Sequence, residues 1–553
     1  LRRCNPPNRS IPAPGPAGEG SLHHNVGLVV QISETRVAPE RDGDQWPRGI
    51  TVALGLAGAI GMVLITVSGV AVGPTGPTGS FVERTILAVT PKGTAATVLG
   101  AIAMAVGLTL VLGAWLVLGL LLRRGASLRP LNRIACVWAA PLLIGPPIFS
   151  RDLYSYAADG LMVQRHISPY AFGPAALGAS KFLAPVSHAW LTTPSPYGPL
   201  FLRLANVAVR LSGGSVVSAI MILRLFEVAG VVLIAISLPA LARAAGKDPA
   251  RAVWLGVCNP LVLFHFIGGG HNDALMIGLI VAGLAVATSG GRPLLGVLLC
   301  MLAATIKAPA VLPAAFIILD AVRSAPAERR LPILARLGGL GALAFGLVSW
   351  SCNLGWGWIG ALGIPGTNRT LLTPTTFLAH CIAAVVGHET EVLNLVRTAG
   401  ALTTVVGVAY LLWRAPKLGT VRAAGYALAL VVALGPIVLP WYVLWGIVVL
   451  AAVGRRIERG FAIFASVILS IVVQPSGSSM PDVVLMAAVV VLTVVAIAIA
   501  WRPVRAWIRR DLAVAIEEYR RRGRIAQSVD VLRLAVPYAW SGRSTRDPRP
   551  PAV

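Results

Sequence analysis

Charged residues are scarce in this chain. Only 12% of its 553 residues are Asp, Glu, Lys or Arg, about half the share that a soluble domain carries. Acids are the scarcer sign, 22 against 47 Lys and Arg, which leaves a net charge of +25 and a pI near 11.1. In a soluble protein that balance would point to nucleic acid. Here most cations fall in short connectors between apolar runs, so a membrane bias accounts for them and no nucleic-acid partner is expected. Metal and redox frameworks are missing too. The six cysteines (Cys4, Cys136, Cys258, Cys300, Cys352 and Cys381) are scattered, with no CxxC pair and no Cys/His cluster. Structural zinc and thiol redox chemistry are therefore unsupported, and the cysteines read as small buried apolar residues. There is no crowded group of carboxylates to hold a hard cation, so neither a metal nor a cofactor is expected. No signal peptide is visible, because the first long apolar run starts only near Ile50.

What the chain has is hydrophobic length. It is 56% apolar with a mean hydropathy of +0.76. Apolar runs of about 17–25 residues recur along it, long enough to cross a bilayer as helices. They are continuous rather than alternating, which favours helices over a closed barrel as the way to satisfy the backbone in lipid. The expectation is an all-α polytopic membrane protein. A Pro-, Gly- and Ser-rich tail over 1–47 reads as disordered, a multi-span domain covers 48–501, and a basic cytoplasmic tail covers 502–553. That last tail reads equally as an amphipathic helix on an anionic leaflet or as a solvated charged helix. Spans are expected near 50–73, 95–122, Ile134–Ser150, 215–241, 252–268, 274–289, 331–350, 398–413, 460–476 and 483–501. Half-length segments at 294–305 and 308–321 meet at Lys307, and a short hairpin over 423–453 turns at Leu439–Tyr442. This makes about fourteen membrane segments. Arg123, Arg124, Arg129 and Arg133 crowd one connector and place it in the cytoplasm. The alternation that follows puts both chain ends inside and the stretch after Ser150 outside.

On that topology the polar clusters share one extracytoplasmic edge: Ser150–Asp159, Pro169–Tyr170, Pro194–Pro199, Gly268–Asp273, Lys307, the loop 353–377 and Pro440–Tyr442. A common external pocket is the economical reading, with the loop over about 150–214 at its centre. Acids near this edge are Glu83, Asp152, Asp159, Glu227, Asp273, Glu389, Glu391 and Asp482. A general base must be fixed in place and tuned by its surroundings. Asp152 follows a helix exit, beside Arg151 and Tyr154, and Asp273 follows another, beside His271 and Asn272. Asp159, seven residues after Asp152, shares its face if the stretch is helical. Each of these acids is read equally well as a helix cap or a surface ion pair. Glu227, three residues after Arg224, reads as a buried ion pair or packing feature. Lys307 lies between two apolar half-helices in ATIKAPAVLP. An ionisable group so placed marks a functional site, and a cation there would suit a lipid-linked phosphate; snorkelling to the interface is the plain alternative. Trp356 and Trp358 suit an interfacial belt or stacking on sugar rings, with Arg369 on phosphate or sugar oxygens.

SRDLYSYAADG, SPYAFGP, TPSPYGPLFL, GGGHNDALMIG, TIKAPAVLP and LPWYVLWGIVVLAA follow one another over about residues 130–455. Together they resemble the polyprenol-phosphate-mannose-dependent α-(1→6)-mannopyranosyltransferases of mycobacteria and corynebacteria. The resemblance implies a GT-C-type bundle in the plasma membrane with its active site on the extracytoplasmic face. It implies a polyprenyl-phosphate-mannose donor and a lipid-anchored mannan acceptor, with membrane lipids as surroundings. The product would be the α-1,6-mannan backbone of lipomannan and lipoarabinomannan. Asp152 matches the aspartate of the family's S-x-D-x-YSY motif and is the implied catalytic base. His271 and Asn272 match its G-x-HN motif; Pro440, Trp441 and Tyr442 match its PWY motif. At Asp273 relatives can carry Glu. The expected substrate-binding set is Arg151, Tyr154, Tyr156, Asp159, Tyr170, Tyr197, His271, Asn272, Asp273, Lys307, Arg369, Trp441 and Tyr442. A β-linked donor and an α-linked product make the reaction inverting. Asp152 would take the proton of the attacking 6-hydroxyl, and Lys307 and Arg369, with His271 as a partner, would stabilise the leaving phosphate. The rivals are another lipid-linked glycosyltransferase with an arabinosyl or glucosyl donor, and a secondary transporter, which broken segments near Lys307 and Pro440 would suit.

Overall fold

The computed structural model describes residues 48–72, 79–90, 93–122, 126–367, 370 and 372–472, with positions 491, 494, 495 and 498. The tails at 1–47 and 502–553, Arg123, Arg124, Arg369, Asp482 and most of the span expected at 483–501 lie outside the described residues. Among the described residues every regular element is helical. Gly49–Val70, Val98–Leu121, Val216–Ala244, Ala327–Ser351 and Glu389–Leu418 are long and apolar enough to cross a membrane. Pro249–Gly256 and Pro260–Gly268, bent by 45°, make a sixth if taken as one broken span. The protein is thus built as an integral membrane protein. Fourteen crossings remain an expectation, because Asp273–Thr288, Pro293–Ala304, Pro374–Val386, Thr420–Leu434 and Pro440–Ala451 are apolar but short. The long helices turn apolar residues outward. Leu402, Val405, Val406, Tyr410 and Trp413 are all exposed on Glu389–Leu418, a surface that suits acyl chains rather than water.

The breaks between helices position the site. Leu128–Ile144 stops at Gly145, and Pro146-Pro147 cannot continue it. A helix end leaves carbonyls without partners. Here Arg224, fully buried on Val216–Ala244, collects them. Its Nη1 donates to the carbonyls of Leu142, Leu143 and Gly145 at 3.2, 3.0 and 2.8 Å, and its Nη2 donates to that of Gly268 at 3.1 Å. The ion pair considered for Arg224 and Glu227 is therefore not formed. Glu227 instead accepts the Leu275 N–H at 3.2 Å. A guanidinium has five donors, and three carbonyls at a Pro-terminated helix end, with that of Gly268, are the stronger claim on it. Phe149 then turns the chain with φ 69, a conformation that costs a bulky residue energy. Its ring stacks on Phe264 at 4.8 Å. Ser150 follows, and its Oγ accepts the Asp152 N–H at 3.1 Å, which starts the buried helix Asp152–Gln164.

Two close approaches fix the neighbours. Val216–Ala244 and Asp273–Thr288 cross so tightly that a Cβ on Gly230 would lie 2.4 Å from the Ala274 carbonyl. Farther on, Gly198 and Leu200 donate their N–H groups to Ile306 and Thr305 at 2.9 and 3.1 Å. A Cβ on Gly198 would lie 2.2 Å from the Thr305 oxygen. This backbone seam joins PSPYGP to the turn that carries Lys307. Gly230→Ala is expected to lower the melting temperature in detergent by a few degrees or more, the mark of about 1–3 kcal/mol of overpacking. Gly338→Ala, where the added Cβ meets nothing within 4 Å, is expected to leave it unchanged or raise it.

Candidate active site

Asp152 is the first residue of its helix and is 7% exposed. Its Oδ2 accepts from the Tyr156 hydroxyl at 3.4 Å and lies 3.2 Å from His271 Nδ1. The imidazole contact is close, but its angle is not that of a hydrogen bond. Burial pushes the Asp152 carboxyl up; His271, Ser150 and Lys307 together outweigh burial and hold it below the ordinary carboxylate value. It is therefore ionised at neutral pH. His271 is kept in place by Trp441, on which it stacks at 3.6 Å with 17° between the rings.

Asp273 begins the helix Asp273–Thr288 and is fully buried. Its Oδ1 and Oδ2 accept from Lys307 Nζ at 2.9 and 3.0 Å, and Oδ1 also accepts from Trp445 Nε1 at 2.5 Å. Lys307 Nζ lies 4.4, 5.4 and 5.8 Å from the ring centres of Tyr442, Trp445 and Tyr197, a cage that favours a cation. The two carboxylates belong to one network. Tyr156 meets Tyr197 edge-on at 5.0 Å, and Trp441 meets Tyr442 at 5.9 Å. The structure thus gathers SRDLYSY, PSPYGP, GGGHND, Lys307 and PWY, which are far apart in the chain. Buried polar groups without partners are rare and call for an explanation. Here His271 Nε2 and both amide atoms of the fully buried Asn272 have none in the protein, which fits a polar ligand beside Asp152. Among the described residues no three His, Cys, Asp or Glu side chains gather as metal ligands.

The other expected residues are placed less centrally. Tyr154 is fully buried with Glu83, Arg224 and Arg151 as its charged neighbours. Tyr170 donates to the Tyr197 carbonyl at 3.1 Å and so ties the stretch after Gln164 to the site. Asp159 lies two turns beyond Asp152 and is buried. Trp356 is exposed, and Trp358 packs edge-on against Phe345 at 5.3 Å. Two residues escaped the sequence reading. Trp445 is concealed in an apolar run; its only signal is that it stands one helical turn after Trp441. His265 lies in a π-helical turn, Leu263–Gly268, fully buried among the rings of Trp441, His271 and Phe149 at 5.2, 5.6 and 6.0 Å. A histidine inside LVLFHFIGGG was the available clue.

A family model described as alpha-(1→6)-mannopyranosyltransferase, N-terminal domain, matches residues 55–323. A second, described as MptB C-terminal domain, matches residues 369–502. A probable alpha-(1→6)-mannopyranosyltransferase of Mycolicibacterium smegmatis is 35% identical over 400 residues, 65% of this chain and 72% of that protein. The chain belongs to the α-(1→6)-mannopyranosyltransferase family. Alpha-(1→6)-mannopyranosyltransferase A of Mycobacterium tuberculosis is 32% identical over 450 residues, 78% of this chain and 86% of that protein. The A enzyme of Corynebacterium glutamicum is 30% identical over 379 residues, 61% and 75% respectively. No solved structure matches. The family makes the chain a glycosyltransferase, and its N-terminal match takes in Asp152, His271, Asn272, Asp273 and Lys307. Within this mannosyltransferase fold, breaking one side of the buried Asp273–Lys307 pair strands a charge. Asp273→Asn or Lys307→Met alone is expected to cost about 3–5 kcal/mol. The double variant is expected to lose clearly less than the sum, as read by unfolding of all four proteins in detergent.

Proposed function

We propose that the protein transfers mannose, with inversion, from polyprenyl-phosphate-mannose to the 6-hydroxyl of a lipid-anchored mannan acceptor at the extracytoplasmic face of the plasma membrane. The product is α-1,6-mannan of the lipomannan and lipoarabinomannan type. One observation carries this reading: an ionised, buried carboxylate, Asp152, shares a network with a caged cation, Lys307. The names of the relatives supply the sugar and the linkage. The acceptor O6 attacks the anomeric carbon, and its proton passes to Asp152. Oδ2 is taken up by Tyr156 and His271, so Oδ1 is the proton acceptor in this reading. The bond from the anomeric carbon to the phosphate oxygen breaks as the new glycosidic bond forms, and the pair of electrons leaves on the phosphate. Lys307 spends two donors on Asp273 and keeps one for that phosphate. Arg369 is assigned the same task. His271 Nε2 and the Asn272 amide are the groups offered to the sugar and phosphate oxygens.

The direct test is incorporation of labelled mannose from polyprenyl-phosphate-mannose into membrane acceptor. Asp152→Asn, expressed at the wild-type level, is expected to lose about a hundredfold or more in rate; unchanged transfer would remove Asp152 from its role. His271→Ala takes away the largest counterweight to burial at Asp152. The carboxyl pKa then rises, so the acidic limb of kcat/KM is expected to move to higher pH. A limb that stays in place would show that His271 does not tune the base.

A further inference from the structure

The segment after Ser187 and the helix Asp152–Gln164 together line a small pocket. Asp159, Ser155, Ser195, Trp190, Pro194 and Tyr197 are in its wall. Its free space is about 260 Å³ with the open mouth included, and the pocket has room for about one water, so a sugar hydroxyl enters it while the ring stays at the mouth. We propose that it is an acceptor subsite, which grips hydroxyl groups of a mannose unit beyond the one that reacts, and so makes the enzyme an extender of an existing chain. The inference rests on Asp152 being the base.

Three observations carry it. Ser155 and Ser195 are 7% and 3% exposed, and their buried hydroxyls hydrogen-bond to nothing in the protein. The Ser195 hydroxyl is near enough to Asp159 to favour its ionised form, yet it is not aligned as a hydrogen bond. Unpartnered buried hydroxyls are costly, and both of these line the pocket. Asp159 is 4% exposed, and burial lifts its carboxyl to about 7. Near neutral pH it is then present in part as the acid, which both donates and accepts, as a sugar hydroxyl requires. Among the lining residues there is no Lys or Arg, so the site suits a neutral polyol and not the donor phosphate, whose cation is Lys307. Trp190, half-buried, offers a flat apolar face on which a pyranose ring rests while its hydroxyls reach inward.

Distance decides which sugar is held. Asp159 shares a helix face with Asp152 and lies about 10 Å farther along the axis, more than one pyranose ring spans. The ring held at Asp159 is therefore not the ring whose 6-hydroxyl faces Asp152. Tyr197 joins the two places: it lines the pocket and packs on Tyr156, which bonds to Asp152.

The test uses the full chain in detergent with polyprenyl-phosphate-mannose as donor, and an octyl monomannoside and an octyl α-1,6-trimannoside as acceptors. Wild type is expected to prefer the trimannoside. Ser195→Ala and Trp190→Leu, with melting temperatures checked against wild type, are expected to lower the trimannoside-to-monomannoside ratio of kcat/KM by about tenfold, mainly through KM, the worth of one good hydrogen bond. Asp152→Asn is expected to lower both acceptors alike and leave the ratio in place. Wild type with no length preference, or variants that leave the ratio unchanged, would overturn the subsite while the proposed transfer stands. Wild type that uses neither acceptor would count against both.

Discussion

The contact between Asp273 and Lys307 is the joint on which the site is built. A carboxylate with no exposed surface is tolerable only if its oxygens are supplied with donors and a counter-charge. Lys307 provides two of the donors and Trp445 a third. Those three residues open a helix, interrupt a helix and sit within a helix, so the pairing fixes three elements at once. Lys307 can reach Asp273 only because the chain is broken around it. The same break turns the carbonyls of Thr305 and Ile306 towards Gly198 and Leu200. A local charge pairing thereby bears on where the segment carrying Gly198 docks, and with it where Tyr197 stands between the two carboxylates' surroundings.

Asp152 and Asp159 show how far environment decides the chemistry of one residue type. They share a helix, a face and near-complete burial. Asp152 has His271, Ser150 and Lys307 to favour its charge, and these prevail over desolvation. Asp159 has one poorly aligned serine, and desolvation prevails. The result is an ionised carboxylate at the start of the helix and a neutral-leaning acid two turns along it.

The helices were legible in the sequence because apolar length is a one-dimensional signal. The half-helices at Pro293–Ala304 and Val311–Arg323 and the hairpin ending at Leu444–Ala451 lie close to where apolar runs and prolines placed them. Asp152 and Asp159 were readable as partners on one face, because a seven-residue spacing is two helical turns. The convergence of GGGHND, Lys307 and PWY was readable only as a shared edge of the membrane. What stayed hidden is whatever depends on which partner wins. Arg224 has a carboxylate three residues away and chooses carbonyls more than seventy residues distant in sequence. Lys307 has no acid nearby in sequence and finds one at Asp273. Ser195 and Trp190 look like ordinary loop residues until the loop is folded onto the helix.

The scarcity of charge that marks the chain is also a condition for its chemistry. Fixed dipoles and ions act strongly where water is excluded, and weakly where a polar surface screens them. A chain with many acids near this site would offer Lys307 several partners, and Asp152 several like charges that raise its pKa. Here Lys307 is committed to Asp273 and caged by rings, and Asp152 is left to a histidine, a serine and a tyrosine. The surroundings of Asp273 hold the cation Lys307, and the pocket beside Asp159 is lined by no Lys or Arg. In the proposed reaction that asymmetry gives a lipid-linked phosphate one place to go and a neutral sugar chain another. It is maintained by the apolar bundle around it, which supplies no competing charge.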